Sequence, residues 1–161
     1  MSQHAFPAGD PPSASTHRSS AAVSTSAGSL MKLARASVSG ALALAAAQLV
    51  DMRVTGRHGS DTPVLAAEVL TRRHIRQPAV RAAVGYGVQS SLAPVAAVAA
   101  LLAGPRVTAR LGAATLAPIV VVGTINPALG TTTWPWRWTR NDWTRELTLK
   151  SVLAVATVAA L

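Results

Sequence analysis

In a chain of 161 residues, half the side chains are hydrophobic and only 13% are charged, against roughly 25% in soluble domains; the apolar content is Ala, Val and Leu gathered into long runs, which excludes an ordinary water-exposed globule. A net charge of +9 would suit nucleic acid if it formed one basic surface, but the arginines stand between the apolar runs, where the positive-inside rule puts them, so no nucleic-acid partner is expected. The absence of cysteine excludes disulfides, thiolate catalysis and cysteine metal sites together.

Residues 1–29 are Ser, Ala, Pro and Thr without an apolar period, and too little surface can be buried there to offset the entropy of ordering. They read as a disordered tail, followed by a membrane domain over 30–161. Lys32 and Arg35 then precede 15 uncharged residues ending at Val50, which predicts a first spanning helix over about 33–52. Its small residues four apart (Ser39, Ala43, Ala47; Ala36, Gly40) offer a face for close helix packing. The same stretch also has the layout of a signal peptide starting at Met31, with cleavage after Ala47. That alternative makes the chain a secreted or membrane-associated protein.

The polar connector from Asp51 to Gln77 contains "SDTP", a helix start with Asp61 or Thr62 as cap and Pro63 in the first turn. Leu65, Ala66, Val69 and Leu70 follow along one side, predicting a short amphipathic helix over about 62–73, too short to span. From Arg81 to Arg106 there are 24 residues without a charge, and from Arg110 to Arg137 there are 26; a bilayer needs about 20. Spanning helices are therefore predicted over about 78–103 and 111–129, joined by the tight turn in "LAGPRVTAR". Pro94 and Pro118 are tolerable there, because neighbouring helices or hydroxyls such as Ser90 and Ser91 can meet a freed carbonyl. A last helix, capped by Asn141 or Asp142, is predicted over about 142–161, with Glu146 and Lys150 four apart in the favourable order.

All four tryptophans fall between the third and last spans, in "TTTWPWRWTRNDW". Indole rings collect at the membrane–water boundary, apolar body in the acyl chains and N–H toward water, so Trp134, Trp136, Trp138 and Trp143, with Arg137 and Arg140 reaching lipid phosphates, are the expected membrane-interface residues. The fold expected from these elements is all-α: a membrane-embedded bundle of about four transmembrane helices with an amphipathic connector helix. The order of apolar helix, "DMRVTGRHGSDTPVLAAEVLTRR", "VGYG" and Trp-rich "TTTWPWRW" before a last helix resembles small four-helix integral membrane proteins of bacteria with no assigned function. The resemblance covers about Leu30 to Leu161 and implies the bacterial inner membrane as location. Histidines that such relatives carry before the "YG" and in the last helix are missing here, where Ala82, Ala83 and Val84 precede Gly85.

His58, Ser60 and Asp61 are the letters of a hydrolase triad, but adjacent loop residues cannot converge on one substrate as a triad must. His4, His17, His58 and His74 lack ligand spacing. No catalytic, cofactor or metal residues are expected, nor any cofactor. Polar residues inside spans are a separate matter, since they face protein or water and often mark a pathway: Tyr86, Gln89 and Asn126 form a possible intramembrane cluster, with Gln48 a further candidate and Lys150 the candidate for a buried cation. The resulting expectation is a non-enzymatic multi-pass protein, structural or accessory through helix–helix association, with the bilayer and a second copy or another membrane protein as partners. The alternative is a small oligomeric transporter or channel with a polar path near Gln89 and Asn126. With four spans, ten cations on the connector side against five on the other put the connectors in the cytoplasm and both termini outside.

Overall fold

The computed structural model describes residues 17–56 and 61–161, with side chains from residue 28 onward. Residues 1–16 of the expected tail, and Arg57 to Ser60 with the "RHGS" of the triad letters, lie outside the described residues. Compactness divides the chain into residues 1–31 and 32–161. In the first unit the described part, from His17, is helical. All regular structure among the described residues is helical: α1 (His17–Thr55), α2 (Thr62–Thr71), α3 (Pro78–Ser90), α4 (Leu92–Leu102), α5 (Val107–Ala128), a single 3-10 turn (Pro135–Arg137) and α6 (Arg140–Ala159). Three stretches, Gly28–Thr55, Pro78–Leu102 and Val107–Ala128, are long and apolar enough to cross a membrane, and only 17%, 28% and 22% of their most apolar windows is buried. Their apolar side chains thus cover the outside of the bundle more than they fill its core.

α1 begins at His17 where the sequence suggested tail to residue 29. Between His17 and Ala27 there is no Pro or Gly, and alanine, which recurs there, has the highest helix propensity. Within the second unit the buried stripe of α1 is Ala36, Gly40 and Leu44, one residue per turn, and α6 lies antiparallel against it. Ser39 Oγ donates to the Ala156 carbonyl at 3.2 Å, Arg35 Nε donates to the Ala160 carbonyl at 2.9 Å, and at the opposite end Arg145 Nε meets Asp51 Oδ2 at 2.9 Å. α6 therefore runs the length of the bundle, as a fourth long helix with its charges between Arg140 and Lys150. The core between α4, α5 and α6 is built from Ala93, Ala96, Ala100, Ala114 and Ala154, all fully buried, around Leu153. Alanine lets backbones approach closely, and in lipid that packing is what holds helices together.

The second predicted span stands as the stretch Pro78–Leu102, with a local irregularity at Ser91 between α3 and α4. Pro94 has no N–H for the Ser90 carbonyl, and the chain turns at Ser91, whose N–H bonds the Gly87 carbonyl at 3.1 Å while its hydroxyl donates to the Val88 carbonyl at 2.6 Å. The serine hydroxyl is used, but on the Val88 carbonyl, two residues before the Ser90 carbonyl that proline frees. α4 and α5 are antiparallel neighbours across Gly104 (φ +85), where Arg110 Nε donates to the Gly104 carbonyl at 2.6 Å. α6 starts two residues earlier than expected: Thr139 is its N-cap, in a reciprocal capping box with Asp142.

α2 ends at Thr71, with Arg72 in the left-handed region (φ 52). Its buried side is Pro63, Val64 and Ala66, whereas Leu65, Val69 and Leu70 are exposed. The apolar side read from the sequence is thus split, with Ala66 buried and Leu65, Val69 and Leu70 exposed. Val64 docks on α3 at Gly85, where an added Cβ would stand 3.4 Å from Val64 Cγ2.

Arg81 of α3 grips both ends of α2, with Nη2 3.1 Å from Asp61 Oδ1 and Nη1 3.0 Å from Glu68 Oε1. The Glu68 carboxylate also accepts the Ile75 N–H at 2.9 Å and lies 3.2 Å from His74 Nδ1. The Ile75 hydrogen bond, aided by the charges of His74 and Arg81, outweighs burial and holds Glu68 below its ordinary value of 4.5. A lowered carboxyl contributes stability above the unfolded value and loses it as pH falls through the folded one. Amide protection in α2, taken relative to the intrinsic exchange rate at each pH, is expected to be high at neutral pH and to fall as the medium is acidified below about pH 4. Glu68→Gln should show low protection at both pH values; a pH-dependent Glu68→Gln protein would assign the effect to another group.

Candidate functional site

At the connector end, α1, α2, α3, α5 and α6 surround a cleft of about 1160 Å³. α6 supplies Asp142, Arg145, Glu146, Leu149 and Lys150, which share one side because they recur at three- and four-residue steps. α5 supplies an apolar wall of Val121, Val122, Ile125 and Leu129, α2 forms the roof with Val64, Ala67 and Leu70, and Thr132, Thr133 and Trp138 close the flank. Tyr86, Gln89 and Asn126, singled out from the sequence, all line this cleft. Gln48 of α1 joins them, its Nε2 donating to Gln89 Oε1.

The cleft is blind. Beyond it along α1, α4 and α6 stand Leu44, Ala93, Ala96, Leu153 and Ala154, each at most 1% exposed, so the polar lining is confined to one half of the bundle. Lys150 marks its depth, ten residues past Arg140 and so about 15 Å along the axis. It is 2% exposed, the buried cation expected from the sequence, and its ammonium lies 3.4 Å from Glu146 Oε2. The charges around the cleft are largely paired: Arg145 with Asp51, Arg81 with Asp61 and Glu68, Lys150 with Glu146.

The Asp51–Arg145 pair, 94 residues apart, was invisible to a reading along the chain. One signal could have found it: of six acidic residues, all but Asp10 fall at or beside the two connectors. So sparse a set of acids in an arginine-rich end is where partners are needed. No group of three or more His, Asp or Glu that could hold a metal occurs among the described residues.

The tryptophans divide into two pairs. Trp134 and Trp136 stack outside, centroids 4.8 Å apart and planes 9° apart, with Trp136 73% exposed. Trp138 and Trp143 meet at 5.0 Å and are half-buried. Trp138 Nε1 donates to the Thr133 carbonyl at 3.0 Å. The 3-10 turn folds back on α5 because Gly123 leaves room: an added Cβ there would stand 2.7 Å from Pro135 Cγ and 3.8 Å from Trp138 Cη2. Arg137 and Arg140 are exposed. The arrangement thus gives Trp134 and Trp136 to the surface and Trp138 to the cleft wall.

This division predicts different losses. Trp138→Ala should lower unfolding stability in detergent by on the order of 2 kcal/mol or more, since it removes a half-buried ring and its hydrogen bond. Trp136→Ala should leave the melting temperature nearly unchanged while reducing fluorescence quenching by brominated lipids. Equal effects of the two substitutions on stability would contradict the division.

Compared with protein-family models, with curated proteins and with solved structures, the chain matches none.

Proposed function

We propose that the chain is a multi-pass protein of the bacterial inner membrane, non-enzymatic, that acts as an accessory protein by helix–helix association with a second copy or another membrane protein. The observation that carries this reading is the set of three long apolar helices whose large side chains face outward, such as Val38, Leu42, Val98, Leu116 and Val120. Such surfaces meet lipid or other helices and not water. The pairing of acids and bases around the cleft supports a non-catalytic role, because it ties up groups that a general acid or base would need free. Carbonate extraction tests residence: the protein should stay with the membrane, and its release into the soluble fraction would end the reading. Size measurement in mild detergent tests self-association.

Charge supports an orientation with the connectors in the cytoplasm. The connector end exposes Arg53, Arg72, Arg73, Arg76, Arg137 and Arg140, against Lys32, Arg35 and Arg106 at the opposite end of the second unit. The chain lacks cysteine, so single-cysteine labelling is clean. With an impermeant maleimide on intact cells, Thr108→Cys should label and Thr71→Cys should be protected. The reverse pattern would invert the orientation.

A second reading rests on the blind cleft: a solute-binding or transporting unit whose site opens to the connector side. Its lining combines apolar walls with a few convergent polar groups, the usual make-up of a small-molecule site.

A further inference from the structure

The ion pair at the cleft floor has unused hydrogen-bonding capacity. An ammonium offers three N–H donors, and that of Lys150 meets Glu146 Oε2 at 3.4 Å. Glu146 Oε2 is itself buried and has no hydrogen bond among the described residues. Away from water, an ion pair is favourable only when its remaining donors and acceptors are met. A molecule that meets both must offer an acceptor to Lys150 and a donor to Glu146, side by side.

The rest of the lining narrows the class. Arg81, Arg145 and Lys150 are balanced by Asp61, Asp142 and Glu146, so the site favours neither a net anion nor a net cation. The α5 wall of Val121, Val122, Ile125 and Leu129 favours an apolar substituent. The space of about 1160 Å³ leaves room for ordered water around a small solute. We infer that the cleft binds a small zwitterion with an apolar substituent, of the α-amino acid kind. Its carboxylate bonds the Lys150 ammonium, its ammonium bonds Glu146, and its side chain lies on the α5 wall. This deepens the second reading of the function and rests on it.

The experiment uses the full chain in mild detergent and radiolabelled L-leucine as probe. Binding should be saturable, and Lys150→Met and Glu146→Gln should each weaken it about tenfold or more, the size of a lost charge-assisted hydrogen bond. Leucine methyl ester lacks the carboxylate and 4-methylpentanoate lacks the ammonium, so each should compete about tenfold less well than leucine. If Lys150→Met does not fold, the competition series on the parent protein decides the matter. Absence of saturable leucine binding at millimolar concentration overturns the proposal. So does unchanged binding by folded Lys150→Met, or competition by 4-methylpentanoate equal to that of leucine. Release of the protein by carbonate would overturn membrane residence instead, which keeps the two failures apart.

Discussion

Gly40→Leu is expected to abolish folded protein, and Gly40→Ala to destabilise it measurably. A Cβ at Gly40 would stand 2.8 Å from Leu153 Cδ1 and collide with Thr157 Oγ1. Both neighbours are fully buried and have nowhere to retreat, because Leu153 is also part of the core formed with α4 and α5. Overpacking of this kind costs about 1–3 kcal/mol for small additions and more for a branched side chain. Set against total stabilities of about 5–15 kcal/mol, leucine at this point should separate α1 from α6. The hydrogen bond from Ser39 to the Ala156 carbonyl, one residue away, would be lost with it. Gly112 of α5 is the control, since nothing lies within 4 Å of an added Cβ there; Gly112→Ala should be neutral or gain up to about 1 kcal/mol from helix propensity. Thermal unfolding in detergent reads all three. A Gly40→Leu protein as stable as the parent would remove the α1–α6 contact from the fold.

The small-residue stripe that makes Gly40 sensitive was legible in the sequence, and so were the two charge-free runs, because lipid imposes length and composition directly on the chain. What was not legible depends on tertiary partners. Which residues of α2 pack on α3 was not legible along the chain, because the close approach of Val64 to Gly85 depends on the tertiary partner. The roles of the tryptophans could not be separated either, since Trp136 and Trp138 are two positions apart and only the docking of Pro135 on Gly123 turns one outward and the other onto the cleft. Tyr86, Gln89 and Asn126, with Gln48, were legible as a cluster because polar residues inside apolar runs stand out. The hydrogen bond between Gln48 and Gln89 depends on how α1 and α3 are placed in space, which no local period encodes.

Ala96→Arg is expected to have the other large effect, and it tests the α4 segment as a packed span. Ala96 is fully buried against α5 and α6, near the middle of the charge-free run from residue 82 to 105. A guanidinium at the centre of a spanning helix costs about 2.5–3.5 kcal/mol on insertion scales, and overpacking a helix contact adds about 1–3 kcal/mol. No acid lies on that half of the bundle to offset the charge: Asp51, Asp61, Glu68, Asp142 and Glu146, all the acids among the described residues, are at the connector end. The variant should therefore be degraded or recovered outside the carbonate-resistant fraction. Leu102→Arg is the matched control, because Leu102 is 82% exposed at the end of α4, where an arginine can extend its head to water, and it should accumulate like the parent. Equal accumulation of the two variants would show that α4 neither crosses lipid nor packs against α5 and α6. Loss of both would place the membrane boundary beyond residue 102, lengthening the span into the Gly104 turn.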